Sequence, residues 1–123
     1  MILGVGIDIE EIEKIAISIQ SPAFVRKNFT PDEVALCEGK HTPAQHFAGK
    51  FTVKEAFMKA IGAGIRQGVW FSDIEVLNRE TGAPYIALHR EAKRIAEELG
   101  IHAIHVSLSH SAGVAVGVVI IEG

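Results

Sequence analysis

A helix that must be buried is the feature that most limits how this 123-residue chain can fold. The segment from Thr42 to Ile61 begins with Thr-Pro-Ala-Gln, a pattern typical of a capping box, and Gly62-Ala63-Gly64 follows it as a stop. At about 100° per residue, large apolar side chains fill one arc, and alanine, threonine and valine fill most of the other. A helix whose side chains are apolar or small on nearly every side is buried. The sequence therefore predicts a long helix inside the molecule.

The order of the other elements predicts the fold class. Residues Ile2 to Ile9 mix apolar side chains with glycine and indicate a buried strand, and a helix follows to about Ile19. Before the long helix, two further helices are predicted to start at Ser21-Pro22 and Thr30-Pro31. After it, the patterns predict strands at 69–77 and 85–88, a helix at 90–99, and strands at 102–109 and 114–121. Because the later strands form hairpin-linked pairs, we expect one α+β domain over residues 1–123, with a mainly antiparallel sheet packed against one long helix and shorter helices.

Composition excludes several classes of protein. Apolar residues make up 48% and charged residues 22% of the chain, as in a soluble globular protein, and no apolar run reaches the roughly 18 residues that span a bilayer. The net charge of −3 argues against nucleic acid as a partner. The first residues lack signal-peptide features, and Cys37 has no second cysteine to pair with, which favours a reducing compartment. We expect a cytoplasmic protein that binds neither membrane nor nucleic acid.

Three charged residues on the long helix are unusual for a buried element. Lys54 falls inside the aromatic arc, and Glu55 and Lys59 lie just beyond its edge. Buried charges are unfavourable unless they are paired, bind a metal or meet a charged ligand. Glu55 and Lys59 are four residues apart, so one alternative is a salt bridge along the helix. The other is a carboxylate and an ammonium presented to a polyanion, with a metal ion bridging to the carboxylate.

Asp8 is the candidate for a second metal ligand because it ends a strand of Ile, Val, Leu and Gly. The alternative is a capping box, Asp8-Ile9-Glu10-Glu11, for the next helix. The two roles are compatible, since one carboxylate oxygen can cap while the other meets a cation. Magnesium prefers one or two carboxylates plus phosphate oxygens, so Asp8 and Glu55 would suffice.

Glycine and histidine residues give weaker indications. Gly62 and Gly64 either stop the helix or let backbone amides approach a phosphate. His110, at a predicted strand end, is either a donor to a phosphate or a surface histidine. His102 and His105 point to opposite faces of a strand, so they make a poor zinc pair. The residues alone are compatible with a magnesium-dependent, phosphate-handling site, and they identify no substrate.

Three segments together resemble the holo-[acyl-carrier-protein] synthase family. Gly4–Ile9 matches the family's Gly-x-Gly-x-Asp strand. Phe47–Ile65 matches its Lys-Glu-Ala-x-x-Lys helix and the Gly-x-Gly-Ile that follows. His105–Ser111 matches its His-Val-Ser-x-Ser-His strand. Their order and spacing fit the family over nearly the whole chain. The resemblance implies the family's fold and a magnesium-dependent transfer of 4′-phosphopantetheine from coenzyme A to a serine of acyl carrier protein.

The resemblance also implies catalytic roles. Asp8 and Glu55 would hold magnesium, together with pyrophosphate oxygens of coenzyme A and water. Lys59 would contact the phosphate and stabilise or protonate the departing 3′,5′-ADP. Either Glu55 or a metal-associated water would deprotonate the attacking serine, and the metal would neutralise developing charge.

Further positions would bind coenzyme A. His110 would lie near the 3′-phosphate of the nucleotide, and Gly62 and Gly64 would bring backbone close to the ligand. Lys54 would be either structural or a ligand-phosphate contact. Lys50 stands where the family commonly has arginine, which exchanges planar bidentate recognition of phosphate for a point charge.

Assembly and partner binding are implied in the same way. Members of this length form homotrimers with active sites at subunit junctions. They bind an acidic helix of acyl carrier protein through basic residues on the first helices, where this chain has Lys14, Arg26 and Lys27. The chain departs from the family in two further ways. Its first helix is rich in acidic residues, and Ala83 stands in place of the lysine of a common Gly-Lys-Pro turn.

Two other functions stay open at this point. One is a trimeric small-molecule-binding protein that has lost catalysis, although intact Asp8, Glu55 and Lys59 speak against it. The other is a magnesium-dependent phosphohydrolase that acts on a nucleotide without a protein acceptor.

Overall fold

The computed structural model describes residues 1–62 and 68–123, and these form five helices and five strands. Helices α1 to α5 span Ile12–Ser18, Pro22–Asn28, Pro31–Glu38, Pro43–Ile61 and Arg90–Leu99, and a short 3-10 turn covers Phe71–Asp73. Strands β1 to β5 span Ile2–Glu11, Ile74–Asn78, Pro84–Leu88, Ala103–Ser111 and Val114–Glu122. Among the described helices, none combines the length and the apolar character needed to cross a bilayer. The predicted α+β class is confirmed.

The strands form two antiparallel sheets. Strands β1, β5 and β4 make a three-stranded sheet with β5 in the centre, and β2 pairs with β3 in a separate hairpin. All three strand pairings are antiparallel, as the hairpin-linked pattern predicted. Helix α4 packs on the inner face of the three-stranded sheet, and its apolar side chains join those of the hairpin and α5 in one core.

Two predicted capping boxes are wrong, whereas the helix start predicted at Thr30 has a complete one. Strand β1 continues past Asp8 to Glu11, since the N–H of Ile12 still donates to the carbonyl of Gly113, so Asp8 caps no helix. Thr42 also makes no capping hydrogen bond. At Thr30, by contrast, the hydroxyl accepts from the N–H of Glu33 and the Glu33 carboxylate accepts from the N–H of Thr30.

Glycine in β1 allows α4 to lie directly on the strand. A Cβ at Gly6 would come within 1.8 Å of the carbonyl oxygen of Ala56, and one at Gly4 within 2.1 Å of that of Ala60. Any larger residue would push the helix away from the sheet. The glycines therefore fix the distance between β1 and α4, and with it the distance between the side chains that follow on each element.

The outer face of the three-stranded sheet is apolar along β1 and β5, and the β1 side chains are exposed. Val5, Ile7 and Ile9 point away from α4 and are 59%, 59% and 61% exposed. Their direct partners on β5 are also apolar: Ile120, Val118 and Val116. Successive residues of a strand face opposite sides, so β1 presents glycine and acid to the helix and branched apolar residues to the outside.

Candidate active site

Asp8 and Lys59 meet between β1 and α4. One carboxylate oxygen of Asp8 accepts from the ammonium of Lys59 at 3.2 Å, and the other accepts from the hydroxyl of Thr52 at 3.0 Å. The Lys59 ammonium also donates to the carbonyl of Ile7 at 3.0 Å. Asp8 is 12% exposed and Lys59 is 55% exposed. Within residues 1–62 and 68–123, Lys59 pairs with Asp8 and not with Glu55, so the predicted salt bridge along the helix is wrong.

Glu55 and Glu10 lie beside this pair. Burial and the negative charge of Asp8 raise the pKa of Glu55, and Lys59 only partly offsets them. Burial and the charge of Asp8 likewise raise the pKa of Glu10 to about 7, with a further contribution from Glu55. We call Asp8, Glu10, Glu55 and Lys59 the acid site. Glu10 was not predicted as a site residue, although the two-residue period along β1 places it on the same face as Asp8.

The acid site fits a divalent cation that is shared with a ligand. Burial first, and then repulsion between its carboxylates, raise the pKa of Glu10 and Glu55, and a bound cation would offset both effects. In the part of the chain that the structure describes, no group of three or more His, Cys, Asp or Glu side chains makes a metal site by itself. Two carboxylates that leave the other positions to phosphate oxygens and water are the usual arrangement for magnesium.

The ammonium of Lys54 forms all of its hydrogen bonds within the fold. Its side chain is 0% exposed, and its ammonium donates to the carboxylate of Glu33 and to the carbonyls of Phe71 and Ile74, at 2.9, 2.9 and 2.6 Å. An ammonium has three N–H donors, so these contacts use all of them. Of the two roles left open for Lys54, the contacts favour the structural one, and we propose no ligand contact for it.

A cavity of about 230 Å³ lies between the first half of α4, the β2–β3 hairpin and the end of β4. Lys50, His46 and His110 line it, with Gln45 and Asn78, and its lining contains no acidic residue. The Lys50 ammonium donates to the carbonyl of Val76 and to the side chain of Asn78, which leaves one N–H for a ligand. Nitrogen donors without a carboxylate suit an anion. We call this space the anion cavity.

A hydrogen bond, burial and neighbouring charges act on the polar side chains of the anion cavity. The side-chain amide nitrogen of Gln45 donates to Nε2 of His110 at 2.9 Å. Burial lowers the pKa of Lys50, and burial with the positive charges of Lys40 and Lys50 lowers the pKa of His46. An anion in the cavity would stabilise the charged forms of both groups.

The acid site and the anion cavity lie on opposite flanks of α4. The helix sits over the central strand β5, where a Cβ at Gly117 would come within 3.1 Å of Thr52. Asp8 lies on β1 at one side of β5, and His110 lies on β4 at the other. The helix therefore separates the two groups of predicted ligand-binding residues within one chain.

The remaining predicted residues lie elsewhere. Gly62 ends α4 in the left-handed conformation, with φ 69°, as the predicted helix stop requires. Gly64 lies outside the described residues. Lys14 is exposed on α1, and its positive charge acts on Glu10 of the acid site. Arg26 and Lys27 are exposed in the last turn of α2.

Comparison with known proteins agrees with this architecture. The model of the 4′-phosphopantetheinyl transferase superfamily matches residues 4–119. The holo-[acyl-carrier-protein] synthase of Geobacter sp. (strain M21) is 41% identical over 124 residues, covering 99% of each chain. The structure of holo-[acyl-carrier-protein] synthase from Neisseria meningitidis superposes with a TM-score of 0.90 at 30% identity, covering 100% of both chains. The structure of Helicobacter pylori holo-[acyl-carrier-protein] synthase in complex with coenzyme A superposes with a TM-score of 0.82 at 32% identity, covering 96% of this chain and 99% of the other. In sequence and in fold, the chain belongs to the holo-[acyl-carrier-protein] synthase family of the 4′-phosphopantetheinyl transferases.

Proposed function

We propose that this protein transfers 4′-phosphopantetheine from coenzyme A to a serine of apo-acyl carrier protein, depends on Mg²⁺ and releases 3′,5′-ADP. The names of its relatives and the coenzyme A complex of the Helicobacter pylori protein support the two substrates. The single observation that carries the proposal is the acid site, where Asp8 pairs with the ammonium of Lys59 at 3.2 Å and the negative charge of Asp8 acts on Glu55.

The chain's own residues fit the chemistry of this transfer. The serine oxygen would form a bond to the β-phosphorus as the bond from that phosphorus to the bridging oxygen breaks, and 3′,5′-ADP would leave with that oxygen. Either Glu55 or a water associated with the metal would accept the proton of the serine hydroxyl. Lys59 would stabilise the charge that develops on the leaving group. Mg²⁺ held by Asp8 and Glu55 would supply charge neutralisation at the diphosphate.

The anion cavity supports binding of the nucleotide end of coenzyme A. We place the 3′-phosphate near Lys50 and His110, since the cavity offers nitrogen donors and no carboxylate. Lys50 acts there as a point charge, so its contact depends on distance more than on orientation.

We further propose that the protein is a homotrimer whose active sites combine two chains. Helix α4 keeps the acid site and the anion cavity of one chain apart, so one coenzyme A would contact the acid site of one chain and the anion cavity of the next. The outer face of the three-stranded sheet supplies an apolar surface for such an assembly, because Val5, Ile7 and Ile9 are about 60% exposed. We propose a cytoplasmic location, where the carrier protein of fatty acid synthesis would be its partner, docked through Lys14, Arg26 and Lys27.

Mass spectrometry of apo-acyl carrier protein incubated with the protein, coenzyme A and Mg²⁺ tests the proposal. A carrier that gains one phosphopantetheine group, with loss of the reaction in EDTA and recovery on added Mg²⁺, is the expected result. Release of 3′,5′-ADP with an unmodified carrier would indicate a hydrolase, and coenzyme A binding without turnover would indicate a binding protein. Either result would overturn the transferase.

A further inference from the structure

A groove of about 800 Å³ lies between the end of α2, the start of α3 and the start of α5. None of its lining residues belongs to the acid site or to the anion cavity. Phe29, Pro31 and Leu88 form its apolar part, and Arg26, Arg90 and Lys93 contribute positive charge. We call it the α2–α5 groove.

Two cations of the α2–α5 groove are available to a partner. Arg26 and Lys93 are exposed, and neither makes an ion pair with any other residue that the structure describes. Arg94, the next residue on α5, differs: it pairs with Glu91 and Glu98 at 2.8 Å each. The positive charge that is not already compensated on α5 therefore faces the groove.

Arg90 is held in position at the rim. Its Nε donates to the carboxylate of Asp73 at 2.8 Å, and Asp73 is itself buried. The backbone of Arg90 has φ 46°, a left-handed conformation that is unfavourable for a residue with a Cβ. The side chain is nevertheless 73% exposed. The guanidinium is thus anchored at one nitrogen and turned outward with the others.

The acidic residues of the α2–α5 groove only partly offset these cations. Glu75 accepts from the hydroxyl of Thr30 at 2.5 Å and pairs with His89 at 3.0 Å, so its charge is engaged within the fold. Asp32 is the other acid in the lining. Two basic side chains without an ion pair, Arg26 and Lys93, and the paired but exposed Arg90 stand against one open carboxylate, which makes the groove locally positive in a chain whose net charge is −3.

Aromatic groups connect the groove with the rest of α2. The Lys27 ammonium lies over the ring of Trp70 at 5.3 Å, two residues before Ser72 of the groove lining. Three residues before Lys27 on α2, Phe24 contacts Phe51, which lies one helical turn before Glu55. Helix α2 therefore packs on α4 as well as lining the α2–α5 groove.

We propose that the α2–α5 groove binds an acidic helix of the acyl carrier protein, so that carrier docking extends beyond the first two helices onto Arg90 and Lys93 of α5. This inference rests on the proposed function. Charge complementarity favours this occupant: an acidic, amphipathic helix would set its carboxylates against Arg26, Arg90 and Lys93 and its apolar side against Phe29 and Leu88.

The test compares Lys93→Gln and the double variant Arg26→Gln/Lys93→Gln with Arg94→Gln, which removes the same charge from a residue outside the groove. We expect the KM for apo-acyl carrier protein to rise about twofold in the single variant and about three- to tenfold in the double one, since exposed charge contacts are individually weak. Arg94→Gln should leave it unchanged, and the KM for coenzyme A should not move in any of the three. The double variant should also lose part of the salt dependence of the carrier KM.

Calorimetric titration of apo-acyl carrier protein at low salt, without coenzyme A, gives a readout that does not need turnover. The expected result is weaker binding to the double variant than to Arg94→Gln. If the unmodified protein transfers phosphopantetheine but the double variant binds the carrier as Arg94→Gln does, the groove is not a docking surface and the transferase stands. If the unmodified protein binds the carrier without modifying it, the transferase fails while the titration still decides the groove. If it does neither, both proposals fall.

Discussion

Asp8 on β1 and Lys59 on α4 form an ion pair at 3.2 Å although 51 residues separate them in sequence. The pair exists because Gly4 and Gly6 let the backbone of α4 rest on β1. The glycine-rich strand and the lysine-containing helix, which look like two unrelated motifs in the sequence, are therefore the two halves of one contact. The glycines set the distance between β1 and α4, and at that distance Asp8 and Lys59 form their ion pair.

Glu55→Gln should abolish metal-dependent transfer while leaving the fold intact, because an amide is a poor magnesium ligand and a poor base. The free energy of unfolding at pH 7 should stay equal or increase, since burial and Asp8 raise the pKa of Glu55 and make its charged form unfavourable. Transfer assays and thermal denaturation measure the two effects. Glu80→Gln, on the exposed turn after β2, is the matched control and should behave like the unmodified protein. Full activity in Glu55→Gln would refute the role assigned to this carboxylate.

Lys54→Met and Lys59→Met should separate stability from activity. Lys54 is fully buried against Glu33, and removing one partner of a buried pair costs about 3–5 kcal/mol. We expect a large loss of stability in denaturant titrations of Lys54→Met. Lys59 is half exposed, so its replacement should change stability little but reduce the rate of transfer by at least about 100-fold. Comparable stability losses in both variants would contradict this division of roles.

Gly6→Ala should destabilise the protein by roughly 1–3 kcal/mol or more, because the added methyl group would overlap the carbonyl of Ala56. Gly39→Ala is the control: it has an ordinary helical φ of −75°, and its added Cβ would lie 3.4 Å from the carbonyl of Ala35. Thermal denaturation followed by circular dichroism compares them. Equal melting temperatures would show that α4 can move away from β1 without penalty.

Mixing two inactive variants should restore activity if the active site combines two chains. Asp8→Asn removes a metal ligand at the acid site, and His110→Glu places a negative charge in the anion cavity, where it repels phosphate. In a mixed oligomer, some junctions join an intact acid site to an intact anion cavity. Co-expressed chains should therefore transfer phosphopantetheine well above the level of either variant alone.

The control for this experiment is co-expression of Asp8→Asn with Glu55→Gln, since both changes fall in the acid site and cannot complement across a junction of the proposed kind. No recovery when Asp8→Asn is combined with His110→Glu would place the whole active site within one chain. Recovery in the control would show instead that Asp8 and Glu55 act from different chains, which contradicts the proposed junction.

Local patterns predicted the local structure well. The helix Arg90–Leu99 was predicted with its observed bounds, and the capping box at Thr30 has both of its hydrogen bonds. The capping box predicted at Asp8 was wrong because the competing structure is not local: β1 stays hydrogen-bonded to the opposite end of the chain, up to the contact between Ile12 and Gly113. A sequence window cannot show which partner strand continues a ladder.

The site could be predicted only as a set of residues. Periodicity placed Lys54 among aromatic side chains, but its partner Glu33 lies 21 residues earlier on another helix, so its structural role was not visible. The anion cavity likewise needs α4, the β2–β3 hairpin and β4 together, and the arrangement of its donors follows from packing. The resemblance supplied Lys50 and His110, while Gln45 and His46 became candidates only through the structure.

The alternation along β1 makes correct strand alignment a condition for everything else this chain does. A slip by one residue would turn Asp8 and Glu10 to the outside, place apolar side chains against the helix where Gly4 and Gly6 leave no room for a Cβ, and break up the apolar outer surface. Misaligned molecules would then lose catalysis, stability and self-association in a single event. Such molecules would be removed as unfolded protein, and they would not persist as partly working enzyme.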